Sequence, residues 1–199
     1  MRTRARRPGA PTARRNTYLV EVRSTLPSPE ATTHARLFLA LWPAPSEQAQ
    51  LVDHVKEWSW PKGASLVAHD RLHLTLHFIG SLERARLAEV SAALQVPVQP
   101  FRLHLTHADV WPRGVAVLRA TEIPEQLTRL RALLSQALGD LKLPLETRRW
   151  RPHVTLARRA TGAVVPLDSQ PLCWCVDGYV LVESLIGGAG GYRLQRHYD

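Results

Sequence analysis

The sequence predicts an α+β fold, and three features of the 199-residue chain predict it. Stretches with apolar residues at alternate positions interleave with stretches whose apolar residues recur every three or four, so strands and helices succeed one another. Two tight turns, at 111–114 and at 187–191, each join a pair of strand-like runs, which makes hairpins and hence antiparallel pairing. Hydrophobic residues make up 45% of the chain against 22% charged, enough for a packed core and enough to exclude wholesale disorder.

Residues 1–33 stand apart. They carry seven arginines against two acids, Glu21 and Glu30, for a net +5, and are punctuated by Pro8, Pro11, Pro27 and Pro29. Only Tyr18–Val22 has the pattern of a strand. The segment reads as a flexible basic N-terminal arm that adds weak, salt-sensitive RNA affinity. The folded domain is expected over 34–199.

Within that domain Arg36–Trp42 (RLFLALW) reads as a buried strand. Pro43 and Pro45 end it and open a helix over 46–58, with Leu51, Val52, Val55 and Trp58 on one face. Leu72–Ile79 alternates as a strand and is expected to stop at Gly80. A helix over 83–94 aligns Leu87, Val90 and Leu94. Phe101–Val110 reads as one strand, paired through the Trp-Pro-Arg-Gly turn at 111–114 with Val115–Ala120. Pro124 opens a long helix to about Leu141, striped by Leu127, Leu130, Leu134, Leu138 and Leu141. Strands at 152–157, 173–185 and 191–198 complete the list. The glycine cluster before the last one is a hairpin turn and not a phosphate loop, because no helical pattern follows it.

The chain has a net charge of +9, and 23 of its 26 basic residues are arginine. Arginine grips phosphate with two parallel hydrogen bonds, so this composition suits a polyanionic partner, although a coding bias toward arginine explains it equally well. Subtracting the arm's +5 leaves only +4 for the domain, which weakens the argument from charge. Cys173 and Cys175 lie too close in sequence for an unstrained disulfide and supply too few ligands for zinc; they read as reduced thiols. With no apolar run of about 20 residues and no signal-like segment, a cytoplasmic protein without a membrane partner is expected.

One short pattern carries the chemistry. Arg71-Leu-His73-Leu-Thr75-Leu76 and Arg151-Pro-His153-Val-Thr155-Leu156 are both H-x-T-x in a strand context. Side chains alternate along a strand, so each histidine shares a face with its threonine while the aliphatic residues take the other. Two such strands, 80 residues apart, suggest halves related by an approximate two-fold axis, with two imidazoles and two hydroxyls in a cleft between them. That set suits phosphodiester hydrolysis. Neutral histidine takes a proton from water, protonated histidine gives one to the leaving oxygen, and the hydroxyls donate to non-bridging phosphate oxygens. The scheme needs no metal or other cofactor, and no carboxylate–histidine cluster with metal spacing presents itself. A third copy, Arg102-Leu-His104-Leu-Thr106-His107, copies the context, but His107 spoils its apolar face. Polar His and Thr on the wet face of an antiparallel sheet is the bland alternative for all three. His77 continues the face of His73 and Thr75, which offers it the groove edge as an alternative to the favoured bland reading; Trp42, Trp58, Trp60 and Trp150 read as core or rim.

From Arg36 to Tyr198 the chain resembles the 2H phosphoesterase superfamily, and within it the bacterial RNA 2′,3′-cyclic phosphodiesterases, historically called 2′-5′ RNA ligases. RLFLALWP at 36–43, LHLTLHFIG at 72–80, WPRG at 111–114, RPHVTLAR at 151–158 and LVES at 181–184 carry the likeness. The resemblance implies a bilobal, pseudo-two-fold fold with two antiparallel sheets facing a central groove and helices packed outside. It implies hydrolysis of RNA 2′,3′-cyclic phosphate ends to 2′-phosphomonoesters, with His73 as proton donor, His153 as proton acceptor, and Thr75 and Thr155 on the phosphate. It demotes His104, which falls where the family has no motif. Arg158 matches a family arginine and is implied to contact phosphate or RNA, although alternation from Thr155 puts it on the wrong face unless a bulge intervenes. RNA ends, tRNA fragments among them, are the implied partners of a monomer. Ligation through a 2′-5′ linkage uses the same groups by microscopic reversibility, and a non-catalytic RNA-end binder would use the same cleft.

Overall fold

The computed structural model describes residues 33–167, 170–185 and 191–199. Residues 1–32 of the expected arm, with its Tyr18–Val22 strand, and residues 187–190 of the glycine turn lie outside the described residues.

Strand β1 (His34–Leu41) runs into α1 (Pro45–Lys56), a proline occupying the helix's first turn, where its missing N–H costs nothing. A two-residue strand β2 (Ser65–Leu66) and a 3₁₀ turn (His69–Arg71) lead to β3 (Leu74–Glu83), followed by a second 3₁₀ turn and α2 (Leu87–Ala93). Next come β4 (Phe101–Leu105), β5 (His107–Trp111), β6 (Val115–Arg119), α3 (Glu125–Asp140), β7 (His153–Arg158), β8 (Leu172–Val176), β9 (Tyr179–Leu185) and β10 (Gly191–Tyr198).

Among the described residues every strand pairing is antiparallel. One half holds the order β10-β9-β1-β3 and the other β7-β6-β5, with β2 beside β7. The halves meet at a single register pair, Leu74 opposite Val154. A separate two-stranded sheet joins β4 to β8. Beneath both halves lies one core. Leu37, Leu39 and Leu41 of β1, Leu74 and Leu76 of β3, and Val154 and Leu156 of β7 are each no more than 1% exposed. The stripe Leu127, Leu130, Leu134 and Leu138 of α3 packs into it, as do Leu51 of α1 and Val90 of α2. Among the described residues, no helix is long and apolar enough to cross a membrane.

Three strand readings are corrected. The stretch read as one strand over 101–110 breaks at Thr106, whose N–H bonds Arg119 O at 3.0 Å, so β4 leaves for the small sheet while β5 stays with β6. The stretch over 173–185 breaks at Gly178, where an added Cβ would lie 2.4 Å from the Tyr198 carbonyl oxygen. Gly80 does not end β3; it takes φ +82° inside the strand, opposite Leu37, next to an irregularity in the register.

Candidate active site

The two motifs fall where the halves meet. Leu72, Leu74 and Leu76 are buried beneath the first, Val154 and Leu156 beneath the second, and the alternation turns the histidine and threonine of each the opposite way. A groove of about 620 Å³ results, lined by His73, Thr75, His153, Thr155 and Arg158 together with aromatic and basic side chains. His104 and Thr106 are exposed and do not line it.

The two imidazoles are held alike. His73 Nδ1 donates to the carbonyl of Arg71 at 2.6 Å, and His153 Nδ1 donates to the carbonyl of Arg151 at 2.7 Å. Each bond fixes the ring plane and commits Nδ1, which leaves Nε2 as the nitrogen available for proton transfer. Burial pushes the pKa of His73 below the ordinary imidazole value; the bond to Arg71 opposes this, and charge on His153 adds to the lowering. Burial also lowers His153, opposed by its bond to Arg151 and reinforced by the charge of Arg158.

Arg158 reaches the groove because of a β-bulge. Against β6, Val117 faces Thr155 but Ala116 faces Ala157, so Leu156 is an extra residue and the faces switch after it. The same irregularity occurs in β3: Ala40 faces Thr75 but Leu39 faces His77, leaving Leu76 extra. The bulge at Leu76 turns His77 away from the groove edge. It is 2% exposed, turned to the core side, and donates from Nε2 to the Arg131 carbonyl on α3 at 3.1 Å. The residue the bulge sends to the groove instead is Phe78, 52% exposed.

Of the aromatic shell around the motif histidines, the sequence places only Trp42, as core or rim, and gives Phe38, Trp111 and Tyr192 no site role. Trp42 lies parallel to His73, with centroids 5.3 Å apart and planes within 5°. Phe38 and Tyr192 complete the ring around His73, at 5.0 and 5.3 Å. Trp111 of the hairpin packs on His153 at 4.5 Å, and its own indole N–H donates to Asp109 at 3.1 Å. Trp150, expected as core or rim, donates to the Thr75 carbonyl at 3.1 Å and ties the segment before β7 to the first motif. Alternation within RLFLALW does hold the signal: Phe38, Ala40 and Trp42 share the face opposite the three leucines. Since both faces are apolar, composition could not tell groove from core.

The fold and the paired motifs are those of a 2H phosphoesterase. The family model of the 2′-5′ RNA ligase superfamily matches residues 42–179, and the chain belongs to that superfamily. An RNA 2′,3′-cyclic phosphodiesterase of Thermus thermophilus is 30% identical over 161 residues, covering 75% of this chain and 81% of the relative. One from Escherichia coli is 33% identical over 153 residues, covering 75% and 86%. Among solved structures, apo Escherichia coli LigT aligns with a TM-score of 0.71 at 26% identity, covering 84% of this chain and 98% of the other. The chain is therefore an enzyme, and its chemistry is that of a phosphodiesterase.

Proposed function

We propose that the protein hydrolyses RNA 2′,3′-cyclic phosphate ends to 2′-phosphomonoesters by general acid–base catalysis between two histidines, without a metal. The supporting observation is the matched pair of imidazoles on one groove, each with Nδ1 tied to a main-chain carbonyl, beside two threonines and an arginine. The relatives' names supply the substrate class.

In this reading, the cyclic phosphate sits between the rings, and Thr75, Thr155 and Arg158 donate to its non-bridging oxygens, where charge builds as water adds. Neutral His153 takes the proton from the attacking water. Protonated His73 gives one to the departing 3′ oxygen, and the P–O3′ bond breaks, leaving the phosphate on O2′. The neighbouring charge of Arg158 acts on His153 and favours its neutral form, which agrees with the base role. The aromatic side chains around His73 offer faces for the terminal nucleoside.

The test is turnover of a nucleoside 2′,3′-cyclic phosphate with and without chelator, with the product's phosphate position read by NMR. Chelator-insensitive formation of the 2′-phosphate is expected. A 3′-phosphate product, or loss of activity on chelation, overturns the mechanism.

A further inference from the structure

The groove continues past His153. A second cavity of about 230 Å³ shares Thr75, Phe78, Trp111 and His153 with it and reaches Arg148, Arg149 and Arg151. A third, of about 340 Å³, shares Arg149, Trp150 and Arg151 with the second and adds Arg119 and Asp109. Four arginines therefore face two carboxylates along this passage, Asp109 of the third cavity and Glu146 of the second.

Both carboxylates already have partners, Asp109 within the passage itself and Glu146 outside it. Asp109 accepts from the Trp111 indole at 3.1 Å and lies 4.0 Å from Arg119 Nε, and Glu146 acts on Arg131 and His77. Arg148 and Arg149 are exposed and have no hydrogen-bond or ion-pair partner among the described residues. Their segment is nonetheless positioned. Trp150, between Arg149 and Arg151, is pinned by its bond to the Thr75 carbonyl and carries the Arg131 guanidinium 4.8 Å above its ring. Arg151 lies 5.9 Å over Trp111. Planar guanidinium groups held beside a reaction centre on a tethered segment suit a ligand with paired acceptor oxygens and repeated negative charge.

We propose that this passage is a second phosphate-binding subsite that holds the phosphodiester backbone of an RNA strand alongside the scissile phosphate. The proposal builds on the RNA-end reading above. Two sources offer the same chemistry: the 5′-ward extension of the strand being hydrolysed, or a separate strand whose 5′-hydroxyl enters in place of water.

The test compares the full chain with Arg148→Ala/Arg149→Ala. Binding is titrated by anisotropy with a short oligoribonucleotide ending in a 2′-phosphate and, separately, with one ending in a 5′-hydroxyl that lacks the terminal phosphate. The variant is expected to bind at least one of them about tenfold more weakly and to lower the slope of log Kd against log salt by about 1.4, the value for two lost contacts to single-stranded phosphate. Loss confined to the first oligomer assigns the passage to the substrate strand; loss confined to the second assigns it to an incoming strand; loss for both shows one backbone site open to either. Unchanged affinity and salt slope for both oligomers overturn the subsite. Turnover of a nucleoside 2′,3′-cyclic phosphate by the unsubstituted enzyme is measured in parallel. Its absence refutes the RNA-end reading, while the binding comparison still decides the passage.

Discussion

Phe78 and Arg158 hold equivalent places in the two halves. Each lies three residues beyond its motif threonine, and each is turned into the groove by a one-residue bulge, at Leu76 and at Leu156. The pseudo-two-fold arrangement of the backbone is thus broken in its chemistry: one end of the groove receives an aromatic ring and the other a fixed cation. Arg158→Ala should lower kcat/KM for a cyclic phosphate by about 10²-fold, the scale for one lost donor to a developing oxyanion. It should also raise the pKa of His153, since the cation that disfavours its protonation is gone. The kcat/KM profile then shifts toward higher pH; a profile that falls in height without moving would exclude the electrostatic part.

The pH dependence of the unaltered enzyme follows from the direction of both imidazole shifts. Burial lowers His73 and His153 alike in the free enzyme. Since kcat/KM reports the free enzyme, its bell should centre below the ordinary imidazole value of about 6.5. An anionic phosphate between the rings favours protonation, so the kcat profile should lie to the alkaline side of the kcat/KM profile. Steady-state kinetics over pH 4–9 would check the order of the two.

His73→Ala and His153→Ala should each reduce turnover by about 10²–10⁴-fold, the usual worth of a positioned acid or base. His104→Ala should leave hydrolysis of a nucleoside cyclic phosphate near the starting level, because β4 carries it away from the groove into the small sheet. A comparable loss in all three would show that the third motif copy had been misassigned.

Acid should destabilise the fold before carboxylates titrate. His54 and His77 are buried, and desolvation holds both below the usual imidazole value. When the folded pKa is depressed, the unfolded chain binds protons first, so stability is full above about pH 6.5 and declines as pH falls from there. The urea midpoint should therefore drop between pH 7 and pH 5. A flat midpoint over that interval would mean that these rings accept protons without cost.

Gly114→Ala should cost about 1–3 kcal/mol. The residue has φ +68°, and an added Cβ would lie 2.7 Å from the backbone N of Thr161. Denaturant unfolding measures the loss. Because this turn carries Trp111 against His153, activity should fall along with stability.

The alternation of strands with helices, the antiparallel class and the shared face of each motif's histidine and threonine were legible because period-2 burial is written directly into LHLTL and HVTL. What alternation could not show were the bulges. They buried His77 against α3 and brought Arg158 into the groove, and a bulge depends on the register with a neighbouring strand, which no local pattern encodes. The break at Thr106 escaped for a related reason: β4 and β5 are each locally continuous, and only their different partners, β8 and β6, separate them. Phe38 and Trp42 were hidden by chemistry, since a ring that packs on an imidazole looks the same in sequence as a ring that packs in a core.

The parallel contact between Trp42 and His73 also gives the protein an internal optical gauge. An imidazolium accepts an electron from an excited indole far more readily than a neutral imidazole does, so emission from that tryptophan dims as its partner charges. Fluorescence difference spectra against Trp42→Phe would then follow the protonation of His73 directly, in the resting enzyme and again with phosphate bound.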